Sequence, residues 1–206
     1  MIATLLASAC RLISGATVEW RCDPYADAQR IYFGNHSSHL DFIVIWSALP
    51  PRLRHHTRPV AGRDYWDQGG IRRFLASSVF RAVLIERSGG AATAVDSARA
   101  AVERMALEMG ERDSLIVFPE GTRSTNGEIG GFKSGLYHLA CARPDAEVIP
   151  VHLENLNRIL PKGESLPVPM LSRVTFGPRL PPIVDEPKDV FLARARAALL
   201  QLKASA

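Results

Sequence analysis

Cysteine is scarce in this sequence: three in 206 residues, Cys10, Cys22 and Cys141, odd in number, widely spaced and without a CxxC pair. That excludes a disulfide framework or a thiolate zinc site as an organising element, and it fits a reducing compartment. Long apolar runs are missing too. The best candidate, residues 2–18, is broken by Arg11 and diluted by Thr4, Ser8 and Ser14, whereas a membrane span needs roughly 18 uncharged residues. The same stretch makes a poor secretory signal, with no basic residue ahead of its apolar part and no small-residue cleavage site behind it. Neither sign of charge dominates. The chain has 25 Lys+Arg against 21 Asp+Glu, a net +4, and its 47% apolar and 22% charged residues argue against disorder. Internal repeats and low-complexity tracts are absent. A single folded domain over residues 1–206 is expected, a length that buries roughly 70% of the unfolded surface.

The basic excess has one location. Eight arginines and three acids lie between Arg52 and Arg87, a local +5, so the remainder is nearly neutral. A guanidinium fork suits phosphate and carboxylate oxygens, and a solvated face accounts for the same charges. Nucleic acid is not expected as a partner, because no aromatics interleave these arginines and no recognised binding motif is present.

Ile2, Leu5, Leu6, Ala9, Leu12, Ile13, Ala16 and Trp20 recur at helical spacing with Thr4, Ser8 and Arg11 opposite. This predicts an amphipathic N-terminal helix within residues 1–22. Such a helix can pack on a core or lie in a membrane interface, and both remain open. Strands are expected at 30–34, 57–61, 83–86, 115–118, 147–153 and 173–176. Between them fall an apolar run at 42–49, stopped by Pro50 and Pro51, and an Arg-rich helix at 69–80. Ser88-Gly89-Gly90 turns into a helix with the stripe Val95, Ala98, Val102, Met105 and Met109, closed by Gly110. Further helices are expected at 135–142 and from Asp189 through Phe191, Ala195, Ala198, Leu199 and Leu202, with a Pro-rich stretch at 161–182. Strands alternating with helices indicate an α/β fold: a single domain with a mostly parallel central sheet flanked by helices. Functional loops in such sheets lie where strands end. Two polar loops follow apolar strands here, 35–41 and 119–131.

The first carries NHSSHLD, Asn35 to Asp41. A carboxylate five residues after a histidine can rest against the imidazole when the loop turns into a helix. It then fixes the tautomer and steadies the charge the ring acquires as a general base. Asp41 serves equally as the N-cap of the following helix. His36, His39 and Asp41, with His55 and His56 downstream, have no established zinc spacing, so no metal is expected. The second loop carries FPEGTRS, Phe118 to Ser124. Gly121 permits close backbone approach to a ligand, Arg123 can clamp a phosphate, and Glu120 can hold a hydroxyl or orient Arg123. A polar turn with an internal ion pair accounts for the same residues.

Together these residues resemble the glycerolipid acyltransferase family, the 1-acylglycerol-3-phosphate acyltransferases and their relatives, over roughly residues 31–151. The family's N-H-x4-D block is matched by Asn35, His36 and Asp41, and its F-P-E-G-T-R-S block at every position from Phe118 to Ser124. IER at Ile85–Arg87, FKSG at Phe132–Gly135 and VIPV at Val148–Val151 match further blocks, although Arg81 stands where glycine is usual and Leu84 where an aromatic is usual. The resemblance implies transfer of a fatty acyl group from acyl-CoA or acyl-carrier protein to a lysophospholipid hydroxyl, foremost that of 1-acylglycerol-3-phosphate. His36 with Asp41 would be the base, and Glu120, Gly121, Thr122, Arg123 and Arg87 would bind substrate. Backbone N–H groups near Gly121 or Ser37 would hold the oxyanion, and no cofactor beyond the acyl donor would be needed. A peripheral place at the cytoplasmic face of the cell membrane is implied too. A different lysolipid acceptor (a lyso-aminolipid or lysophosphatidylethanolamine), a thioesterase in which His36 activates water, and a lipid-binding protein without turnover are the other readings.

Overall fold

The computed structural model describes residues 2–38, 40–66, 69–86, 94–159 and 170–205. His39, Arg87, the turn at 88–90 and most of the first half of the Pro-rich stretch lie outside the described residues, as does the side chain of Val95. Seven strands among them form one sheet: β1 Thr17–Trp20, β2 Arg30–Gly34, β3 Thr57–Gly62, β4 Val83–Ile85, β5 Ser114–Val117, β6 Glu147–Glu154 and β7 Arg173–Phe176. Their order across the sheet is β1-β7-β6-β2-β5-β3-β4. β2 lies centrally, parallel to both β5 and β6, and β3 continues the parallel part to β4. β7 reverses direction against β6, and β1 runs parallel to β7 at the edge, so these two strands oppose the other five.

The helices are α1 Ile2–Ser14, α2 Asp41–Ala48, α3 Pro51–His55, α4 Arg63–Trp66, α5 Gly70–Phe74, α6 Ala94–Met109, α7 Gly135–Ala142, α8 Leu156–Ile159 and α9 Lys188–Ala204. Successive residues of β2 serve opposite faces, as the strand's period of two requires. Tyr32 faces the side covered by Phe42, Ile45 and Trp46 of α2, while Ile31 and Phe33 face Met105 of α6, Leu139 of α7 and Phe191 of α9. Burial on both faces explains why this strand reads as a continuous apolar run. Each such side chain contributes about 1.5–3 kcal/mol of transfer free energy.

Three expectations change. The N-terminal helix stops at Ser14, whose hydroxyl donates to Cys10 O (2.7 Å), and Gly15 follows at φ +49°. Thr17 to Trp20 then form a strand that sequence periodicity hides, because Ala16 and Trp20 fall by chance on the helical repeat. Its partner is remote: Thr17 N–H donates to Ser172 O (3.0 Å) and Trp20 stacks on Phe176 at 3.8 Å. Of the two placements left open for α1, its small residues take the core: Ala7, Cys10 and Ser14 are buried and Ala3 packs beside them, whereas Ile2, Leu5, Leu12 and Ile13 are exposed. Finally, the helix expected at 69–80 is α5 followed by a wider turn, Leu75–Val79, and Ala98 of α6 is exposed while Val102, Met105 and Met109 are buried.

The arginine-rich segment is not one solvated face. Arg54 donates to Ser47 O (3.1 Å) and Leu49 O (2.9 Å) at the end of α2 and lies over Trp46. Arg58 and Arg81 converge on Asp113 (3.5 and 2.8 Å). Arg81 takes φ +50° there, a left-handed conformation that glycine adopts freely and that explains why glycine is the usual residue.

His152 of β6 is 4% exposed, and burial, with the charge of Lys203, pushes its pKa from 6.5 down to about 4. Folding therefore disfavours its protonated form. Stability is unaffected at neutral pH and falls as pH drops from 6.5 towards 4, by on the order of 3 kcal/mol in all. Thermal denaturation across this range should show a shallower acid slope for His152→Leu than for the wild type. Equal slopes would remove His152 as the source.

Candidate active site

The carboxyl ends of β2, β3, β4, β5 and β6 share one edge of the sheet, and each leads into polar residues. After β2, Asn35 turns the chain outward. Its amide donates to Leu153 O (2.9 Å) and accepts from Leu153 N–H (2.8 Å), extending the β2–β6 ladder through a side chain. His36 then leaves the sheet with its orientation fixed from several sides. Its N–H donates to Glu120 Oε1 (2.9 Å), its carbonyl accepts from Ser124 N–H (2.7 Å), and its ring stacks on Phe118 at 4.3 Å.

The ring nitrogen Nδ1 donates to Asp41 Oδ2 at 2.8 Å. Asp41 is fully buried at the head of α2, and the same oxygen accepts the N–H groups of Ser37 (2.6 Å) and Ser38 (2.8 Å). Asp41 is thus not a simple N-cap: Leu40 holds that position without a side-chain bond. With a proton on Nδ1, the neutral ring keeps its lone pair on Nε2, which points away from the carboxylate. Asp41 Oδ1 is buried and has no partner.

The loop after β5 is fastened to His36 at two points, Glu120 and Ser124, so Arg123 lies between residues pinned to the histidine backbone. Arg123 is half-buried and its Nη1 is buried without a partner, while Thr122 is exposed. Glu120 ties backbone together with both oxygens, Oε1 accepting His36 N–H (2.9 Å) and Oε2 accepting Gly130 N–H (2.9 Å). Gly121, at φ +72°, makes room for the side chain of Lys133. Among the N–H groups near Gly121 and Ser37 expected for the oxyanion, those of these two residues are already engaged, Ser37 N–H by Asp41 and Gly121 N–H by Phe118 O (3.0 Å).

The sequence reading missed Arg63, the first residue after β3. Its Nε is buried without a hydrogen bond, 3.9 Å from Glu86 Oε1. The rule that singled out the other two loops, a polar residue directly after an apolar strand, does not reach it, because residues 57–61 include Thr57, Arg58 and Pro59 and Gly62 follows them. Phe118, which supports the imidazole, was quoted in the motif but given no role.

A family model described as Acyltransferase matches residues 21–154. The 1-acyl-sn-glycerol-3-phosphate acyltransferase of Limnanthes alba is 31% identical over 175 residues, covering 82% of this chain and 55% of the relative. The alpha enzyme of the same name from Mus musculus is 30% identical over 136 residues, 65% of this chain and 43% of the relative. The chain thus spans about half the length of the curated relatives it matches. Among solved structures, the 1-acyl-sn-glycerophosphate acyltransferase PlsC of Thermotoga maritima superposes with a TM-score of 0.67 at 18% identity, over 97% of this chain and 78% of that one. At that identity the likeness concerns the fold.

Proposed function

This chain belongs to the acyltransferase family, and we propose that it transfers a fatty acyl group from acyl-CoA or acyl-carrier protein to the free hydroxyl of a lysophospholipid, 1-acylglycerol-3-phosphate first among them. The observation that carries this reading is the 2.8 Å contact between His36 Nδ1 and the buried Asp41 carboxylate, at the strand end where Arg123 also lies. Nε2 takes the proton of the acceptor hydroxyl as its oxygen attacks the thioester carbonyl. The C–S bond breaks in collapse of the tetrahedral adduct, and the proton passes from Nε2 to the departing thiolate. A thiolate is a good leaving group, so the scheme invokes neither a metal nor an acyl-enzyme. Asp41 holds the ring in its working tautomer. Glu120 acts through His36 by fixing its backbone, and Arg123 receives the acceptor's phosphate. An acceptor panel with a labelled acyl thioester, read by lipid mass spectrometry, tests this. Acylated lysophosphatidate supports it, free fatty acid at full turnover rate points to a thioesterase, and binding without product points to a lipid carrier.

A membrane surface as partner follows from where α1 leaves its large side chains. Leu5 is 65% and Leu12 84% exposed, and a hollow of about 380 Å³ joins Ile2 and Ala3 to Phe74 and Val79. Among the described residues no helix is long and apolar enough to cross a membrane. The apolar face of α1 instead lies in the interface, with the half-exposed Phe74 across the hollow from it. Cys10, Cys22 and Cys141 are free thiols, in keeping with the cytoplasmic side. Leu5→Lys combined with Leu12→Lys should lower binding to anionic vesicles at least about tenfold, with turnover of a short-chain soluble acceptor retained. Undiminished vesicle binding would remove α1 as the anchor.

A further inference from the structure

Acyl transfer as proposed leaves Lys133 without a role, yet its position is closely specified. Phe132 is fixed edge-on against Phe33 at 6.1 Å, and Lys133 N–H donates to Pro119 O (2.8 Å). Three residues earlier, Gly130 N–H donates to Glu120 Oε2 (2.9 Å). Residues 130–133 are therefore zipped along 119–120, and the Lys133 side chain runs back over Gly121. A methyl group at Gly121 would lie 2.8 Å from Cε and Nζ and 2.9 Å from Cδ. The glycine is thus required by the lysine as well as by its φ of +72°. The ammonium group rests on the loop that carries Arg123, on an exposed residue, and has no ion-pair partner among the described carboxylates. Arg123 likewise keeps Nη1 buried and unpaired two residues further along that loop.

Two unneutralised cations on adjoining segments, next to a general base, suit an anion of two charges better than one of a single charge. We propose that Lys133 and Arg123 together seat a phosphate monoester dianion carried by the acceptor, with Lys133 the positioning residue that favours a monoester over a phosphodiester or an uncharged lipid. The identity of the ligand rests on the acyl-transfer reading; the presence of an anion seat does not. A phosphate monoester approaches two charges at neutral pH, whereas a lysolipid with an esterified headgroup carries one on phosphorus and adds bulk to an oxygen the cations would face.

Lys133→Gln is the test, because an exposed side chain is replaced and the backbone ties of residues 130–133 are kept. With 1-acylglycerol-3-phosphate, kcat/KM should fall about 10- to 100-fold, while turnover of monoacylglycerol and the KM of the thioester donor stay unchanged. Isothermal titration with hexanoyl lysophosphatidate should show a matching loss of affinity. An equal fall with monoacylglycerol would make Lys133 merely structural, and a shift in donor KM would assign it to the donor's phosphates. Unchanged kinetics would likewise overturn the proposal. If the wild type turns over no acceptor, acyl transfer falls, and the titration alone decides Lys133: weaker binding by the variant keeps the seat, equal or absent binding overturns it.

Discussion

His36→Ala should abolish acyl transfer, a fall of about 10²–10⁴-fold or more in kcat, in a protein that still folds. The separation of the two effects follows from how His36 is held. Its backbone N–H and carbonyl, not its ring, tie the 118–124 loop to β2 through Glu120 and Ser124. Alanine keeps both bonds. The ring's own losses are the stack on Phe118 and the bond to Asp41, whose Oδ2 still accepts from Ser37 and Ser38. That should cost about 1–2 kcal/mol of stability, too little to unfold an ordinary domain. Circular dichroism and a thermal melt would establish the fold, and single-turnover measurement with a labelled thioester the chemistry. Near-wild-type turnover would remove His36 from the mechanism, leaving the loop as a binding surface.

Much of this architecture was legible because its strands announce themselves locally. Residues 31–33 and 115–117 are apolar on both faces, and only a strand covered on both sides needs that pattern. The two polar loops were visible for a related reason: their residues follow buried strands directly. What escaped was set by distant partners. β1 exists because β7, more than 150 residues later, offers Thr17–Trp20 an edge, and nothing local distinguishes it from a continued helix. Which side of α1 meets the core was left open because periodicity weights large apolar side chains, while packing against α2 selected the small ones, Ala3, Ala7 and Cys10, which allow close approach.

Within the site, spacing identified which residues meet but not which of their atoms remain free. Glu120 has the composition of a substrate ligand, and each of its oxygens already accepts a backbone amide. Ser37 N–H was a reasonable oxyanion donor until Asp41 claimed it. Hydrogen-bond saturation of this kind is a property of the folded loop, since every buried N–H must find an acceptor and the closest carboxylate takes it. The same logic explains the arginines. Arg54, Arg58 and Arg81 read as surface charge in sequence, yet each answers a carbonyl or carboxylate that only the fold brings near.

Asp41→Asn should lower kcat by about 10³–10⁴-fold while costing only about 1–3 kcal/mol of stability. Asp41 Oδ2 accepts three N–H groups, from Ser37 (2.6 Å), Ser38 (2.8 Å) and the His36 ring (2.8 Å). An asparagine has one carbonyl oxygen to offer. Turned towards the serine amides, that oxygen preserves the loop but no longer brings a negative charge to the imidazole, and its amide nitrogen sits unpaired where Oδ1 is buried. Turned the other way, the amide nitrogen donates to Nδ1, which moves the ring's proton to Nε2 and leaves no lone pair to receive the acceptor's proton. The first arrangement weakens the base and keeps the turn, whereas the second removes the base's lone pair and sets the amide nitrogen against the Ser37 and Ser38 N–H groups, which makes the first the favoured one. The two histidine-loop variants should also be non-additive: Asp41→Asn introduced into His36→Ala should cost little further activity, because the carboxylate acts through the ring. Activity within a few-fold of wild type in Asp41→Asn, beside an inactive His36→Ala, would show that the carboxylate only organises the start of α2 and that His36 works without it.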